Sequence, residues 1–162
     1  MLMDFAKEIT VLRFMQGYGD DLLADIEPQD MCKQPVSGMN HPAWIIGHLA
    51  MAVDSHAESV GGTSQLITWQ EQFDYGTTLT TDPADYPAKP ELIEAWHAAN
   101  ERFIAAVSSA PPEALNTPTQ GPAAQGLPTV GDFTSFSLTA HTALHLGQLS
   151  AWRRADGRQP LF

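Results

Sequence analysis

Apolar residues recur at alternating four- and three-residue steps in four separate stretches of the chain, the period of a helix with one face turned inward. The first stretch runs from about Asp4 to Ile26 and carries Phe5, Ile9, Leu12, Gly19, Leu23 and Ile26, with Gln16 and Gly19 weakening the stripe. Gly17 and Gly19 lower helix propensity, which predicts a bend, and Pro28 closes the segment. The second opens at Asn40-His41-Pro42, where Asn40 or His41 can cap and proline suits the first turn. It carries Trp44, Ile45, His48, Leu49, Ala52, Val53 and His56 before Gly61-Gly62 stops it. The third starts at Pro90, has the cleanest periodicity (Leu92, Trp96, Ala99, Phe103, Val107) and ends at Pro111-Pro112. The fourth opens on Thr129-Val130-Gly131-Asp132, a capping-box pattern, and continues through Phe133, Phe136, Ala140, Leu144 and Leu149 to Trp152, with Gly157 as its stop.

Between these stretches the pattern breaks down. Residues Thr63 to Lys89 are irregular and polar, a length unusual in a compact domain unless the segment crosses a bundle or covers a site. Phe73, Tyr75 and Tyr86 offer apolar anchors, so a packed crossover is expected, with a short helix near Trp69. Thr117 to Pro128, rich in Pro, Gly, Gln and Ala, is a loop. No strand pattern competes. The reading is one all-α domain over residues 1–162, a four-helix bundle with a long crossover connection.

Length and composition agree: 162 residues suffice for a real core, and 43% apolar against 17% charged residues is a globular balance. A net charge of −11, with eight basic residues, argues against binding nucleic acid or an anionic membrane surface. The basic cluster Arg153, Arg154 and Arg158 suits the negative end of the last helix. No apolar run is long enough to span a membrane, and Met1-Leu2-Met3-Asp4-Phe5-Ala6-Lys7-Glu8 lacks the pattern of a secretory leader. A cytoplasmic address is expected. Cys32 is the only cysteine and reads as an ordinary thiol.

The chemistry lies in the histidines. His141 and His145 are four apart on the fourth helix, which puts both imidazoles on one face, in reach of one ion. Their segment is nearly uncharged and reads as buried on most sides, where imidazoles need partners. A metal would satisfy both, and so would separate hydrogen bonds in the core; spacing alone leaves both readings open. Thr142, not Glu, follows His141, so the zincin arrangement of a protease is absent. Four other histidines could supply a third ligand. His41 reads as a cap, and His56 could line the same cavity as His48 at another depth. His97 forms a lone Glu94-x-x-His97 unit, short of the two that a di-iron bundle needs.

The segments His41-Pro42-Ala43-Trp44-Ile45-Ile46-Gly47-His48-Leu49-Ala50 and His141-Thr142-Ala143-Leu144-His145-Leu146-Gly147-Gln148-Leu149 together resemble the DinB/YfiT-like family. The resemblance covers essentially the whole chain in helix order. It implies that His48, His141 and His145 are the ligands of one divalent metal, zinc or nickel ahead of iron or manganese, and that the protein is a homodimer. It further implies a thiol-dependent S-transferase or a hydrolase acting on a small electrophilic substrate, with a low-molecular-weight thiol as co-substrate. The alternative is a non-catalytic metal-binding or stress-response interaction protein with a structural or vestigial site. Three neutral imidazoles leave a coordination position open, as in catalytic sites. Gln148, Trp44, Trp152 and His56 are the candidates for the substrate pocket, with plain core packing the simpler role for both tryptophans. No residue is singled out as a general base.

Overall fold

The computed structural model describes residues 4–161. Met1-Leu2-Met3, part of the segment read for a leader, lies outside them, as does Phe162. The fold is all-α. Among the described residues there is no strand, only an isolated bridge between Pro118 and Thr129, and no helix is long and apolar enough to cross a membrane. The first three long helices span Ala6–Leu23, Pro42–Ser59 and Lys89–Ser109. The fourth is composite: α-helical Val130–Phe136, a π-helical segment Ser137–His141, and α-helical Thr142–Ala155. The second helix packs on the third and the fourth, and the first packs on the fourth.

The first helix is continuous through both of its glycines. Gly19 is there for proximity, since a Cβ would overlap the ring of Trp96 on the third helix. His41 caps the second helix with its ring, Nδ1 accepting from the Trp44 N–H at 3.2 Å. The ring is fully buried and donates its Nε2–H to the Thr80 carbonyl at 3.0 Å, so this cap also ties down the crossover. At the fourth helix the capping box forms as expected, the Thr129 hydroxyl accepting from the Asp132 N–H and the carboxylate accepting from the Thr129 N–H.

The fourth helix departs from expectation on one side. Leu144 is 62% exposed, and Ala140, Ala143 and Gly147 also face outward. The buried row is instead Thr134, Leu138, Thr142, Leu146 and Leu149, so the helix is half-buried rather than surrounded. Apolar residues on both faces hid which one turns inward.

The crossover is ordered by short helical turns at Ile67–Trp69, Gln70–Phe73 and Pro83–Asp85. Phe73 and Tyr86 anchor it in the core, but Tyr75 is 92% exposed and anchors nothing. Its entry is fixed by the buried Asp54, which accepts from the Ser64 hydroxyl and the Gln65 and Leu66 amides and pairs with Arg102. Burial alone would raise this carboxyl's pKa, but those partners together hold it below the ordinary value. In the last turn of the fourth helix Arg153 is buried on the Asp25 carboxylate and the Leu22 carbonyl, and just beyond the helix Arg158 pairs with Asp30 and Asp156. These arginines staple the turn after the first helix, a more specific role than dipole compensation.

Candidate metal centre

The π-helical segment and the second helix bring His48, His141 and His145 together. One ring nitrogen from each lies within 4.8 Å of the others. His141 closes the π-helical segment, a widened turn often found at functional sites, and His145 follows one α-helical turn later. The ring centroids of His141 and His145 are 4.7 Å apart, and His48 sits 5.3 and 4.5 Å from them. Helical spacing thus gives the pair, and packing of the second helix against the fourth supplies the third.

Hydrogen bonds orient two of the rings. His48 Nδ1 lies 2.7 Å from the Phe73 carbonyl, which can only accept, so Nδ1 carries the hydrogen and Nε2 presents a lone pair. His145 Nδ1 lies 3.2 Å from Gln148 Oε1, and that oxygen also accepts from Asn40 Nδ2 at 3.2 Å. His145 therefore turns its Nε2 lone pair inward by the same logic. Between His48 Nε2 and His141 Nε2, 3.2 Å apart, the only hydrogen available comes from His141. A cation can take the place of that hydrogen once His141 carries its proton on Nδ1.

All three rings are neutral near pH 7. Burial pulls His141 down to about 3, helped by the neighbouring His145, His48 and His56, and pulls His145 down to about 4, helped by His48. Burial also lowers His48, against the opposing pull of the Phe73 carbonyl and Asp74. Three neutral imidazoles at one point, His48 and His145 with inward lone pairs and outer N–H groups bound to carbonyl-type oxygens and His141 able to join them by a change of tautomer, are a donor set that suits a divalent cation. The residues present fit the metal.

The pocket candidates are placed unequally. Trp44 stacks on His48 with centroids 4.8 Å apart and planes 10° from parallel, its indole N–H donating to Thr77 Oγ1. Gln148 holds His145, as described. His56 is eight residues from His48 at the far end of a cleft of about 300 Å³ that His48, Ser55, Gln70, Asp74 and Phe133 also line. Trp152 is fully buried in the core, donating to the Lys33 carbonyl at 2.7 Å. His97 bonds Asp20 at 2.8 Å rather than Glu94. Cys32 is buried, and desolvation raises its thiol to about 11, the state of an inert side chain.

Three features of the site had no usable signal in the sequence. The π-helical segment reads like any helix, the Phe73 carbonyl is backbone from a segment without periodicity, and Asn40 is distant in sequence from Gln148. Gly47 admits the Phe73 ring of the crossover, since a Cβ there would overlap that ring.

The family model described as DinB superfamily matches residues 12–149, which reach into all four long helices. No curated protein matches this sequence.

Proposed function

We propose, because the chain belongs to the DinB superfamily, that His48, His141 and His145 hold one divalent ion and that the protein is a metal-dependent S-transferase or hydrolase of a small electrophile. The observation that carries the proposal is the convergence of three neutral imidazoles, two of which, His48 and His145, have their outer hydrogens held by the Phe73 carbonyl and the Gln148 amide. A bound ion there supplies Lewis acidity, lowering the pKa of a thiol or water toward neutrality. The chain's own groups do the rest. His48, His141 and His145 supply three ligands and leave room for another, Trp44 covers one face of His48, and the cleft from His48 to His56 gives a small molecule its place. Imidazole donors suit zinc, nickel and iron alike, and manganese enters only through the family resemblance.

Elemental analysis of protein purified without an affinity tag should find close to one equivalent of metal. A panel of low-molecular-weight thiols with alkylating electrophiles and activated esters should then show turnover in the loaded protein that chelation abolishes. Metal-dependent folding without turnover of any pair would favour the non-catalytic reading instead. Absence of metal, unchanged by supplying it, would end both. A homodimer belongs to the same proposal, supported by Phe14 (65% exposed) and Leu144 (62%) on the first and fourth helices, which pack together. Light scattering at one chain's mass, 17.6 kDa, would set the dimer aside.

A further inference from the structure

The charge around the histidine cluster is one-sided. The cleft beside His48 is lined by neutral groups and one exposed carboxylate, Asp74, which immediately follows the Phe73 carbonyl that holds His48. On the other side, a second cleft of about 270 Å³ runs past Gln148 and is lined by Gly38, Met39, Asn40 and Ala151, with no charge at all. No lysine or arginine lines either one. The chain has only eight, and Arg13, Lys33, Lys89, Arg102, Arg153 and Arg158 are each bound to carboxylates or carbonyls elsewhere.

An anionic ligand needs a cation or a cluster of N–H donors to replace its hydration. Here it would meet Asp74 instead, on a chain of net charge −11. A neutral ligand meets Ser55, Gln70 and the ring of Phe133, and an ammonium group meets in addition a carboxylate of the right sign. Asp74 is available to serve, since one carboxylate oxygen accepts the adjacent Tyr75 N–H at 2.7 Å and no cation among the described residues pairs with it.

We propose that Asp74 sets the charge specificity of the site, so that the small molecule bound beside the histidines is uncharged or carries an ammonium group and is not a carboxylate or phosphate. The inference rests on the metal-site reading above and names the substrate class of that site. It makes Asp74 a specificity residue, outside the metal's own ligands.

Cobalt-loaded full-length protein tests it, read by the thiolate-to-cobalt absorption band, with three thiols of similar size: cysteamine (ammonium), 2-mercaptoethanol (neutral) and 3-mercaptopropionate (carboxylate). Cysteamine should bind on the order of tenfold more tightly than 3-mercaptopropionate, the scale of one partly screened charge acting with opposite sign on the two. Because the thiols differ in acidity, the decisive number is the change in that ratio in Asp74→Asn, which keeps an oxygen for the Tyr75 N–H. The ratio should shrink by at least about threefold, with 2-mercaptoethanol unaffected. An unchanged ratio, or a carboxylate thiol bound as tightly as the ammonium thiol in the unaltered protein, overturns the specificity proposal while leaving the metal site standing. Failure of cobalt to bind overturns the metal-site reading, and this proposal with it.

Discussion

His48 and His56 are both buried, two turns apart along the second helix, yet His56 and the cluster that His48 forms with the half-buried His141 and His145 are satisfied in opposite ways. His56 directs Nε2 to Thr134 Oγ1 at 3.0 Å, and because that hydroxyl already donates to the Val130 carbonyl, the histidine must be the donor. The rest of its ring lies edge-on to Phe103 and Phe133, at 5.3 and 4.7 Å. One hydrogen bond and aromatic packing keep it neutral and fixed, the ordinary condition of a core histidine. His48 and His145 instead spend their outer hydrogens on the Phe73 carbonyl and the Gln148 amide, and all three rings, His141 included, turn a nitrogen toward a common point. Burial is common to both groups. What separates a candidate ligand from a core histidine is the direction of the ring nitrogens, which for His48 and His145 an oxygen on the far side of the ring decides.

The sharpest way to break this comparison is to remove one member from each group. With zinc present at a hundred to a thousand times its dissociation constant, the unaltered protein should gain about 3–4 kcal/mol of stability. For a chain of this size that is a rise of roughly 10 °C in Tm. His145→Ala should lose that gain entirely and purify with almost no metal, while His56→Gln should keep both. Calorimetry with and without zinc checks it, and equal stabilisation of His145→Ala by zinc would sink the three-histidine site.

Acid should expose the second difference. Burial holds His56 at about 4, below the ordinary 6.5, so the unfolded chain takes up the proton first as pH falls. The stability tied to its neutrality is complete above pH ~6.5 and is lost progressively on the way to pH ~4, about 3 kcal/mol in all. In metal-free protein, His56→Gln should lower the slope of unfolding free energy against pH by about one proton across that window. Chemical denaturation at a series of pH values measures it, and an unchanged slope would mean that His56 titrates normally.

Much of this arrangement was legible in the chain. The four helices follow from apolar periodicity and from the signals at Pro42, Pro90 and Thr129, because helix formation and capping are local. The pairing of His141 with His145 is local too. His48 was one of several partners until the resemblance singled it out, since nothing within its own helix states what faces it. The supports of the site are non-local and were not legible: the Phe73 carbonyl comes from the aperiodic crossover, and the inward face of the fourth helix was obscured by Leu144 and its alanines. Gly47 joins the two levels. Gly47→Ala would drive a methyl into the Phe73 ring, cost about 1–3 kcal/mol by overpacking, and displace the carbonyl that orients His48. Weaker zinc binding should accompany the lost stability, whereas His56→Gln should alter stability alone. Full metal affinity in a destabilised Gly47→Ala would show that the crossover does not hold His48 in place.

Gln148 gives the smallest and most selective test, because its side chain is exposed and contributes to the site only through one oxygen. That oxygen accepts from His145 Nδ1 and from Asn40, so it fixes which nitrogen of His145 faces its partners. Gln148→Ala leaves the ring free to rotate and to exchange tautomers. Such supporting bonds are commonly worth 10- to 100-fold in metal affinity, while stability should change by less than about 0.5 kcal/mol, as for other exposed substitutions. Gln148→Glu retains the acceptor and should recover most of the affinity, which a role in bulk packing would not predict. Competition with a chelator of known affinity reads both variants. If Gln148→Ala bound zinc as tightly as the unaltered protein, His145 would be held by its backbone and rotamer alone, and the contrast with His56 would rest on His48 and the Phe73 carbonyl.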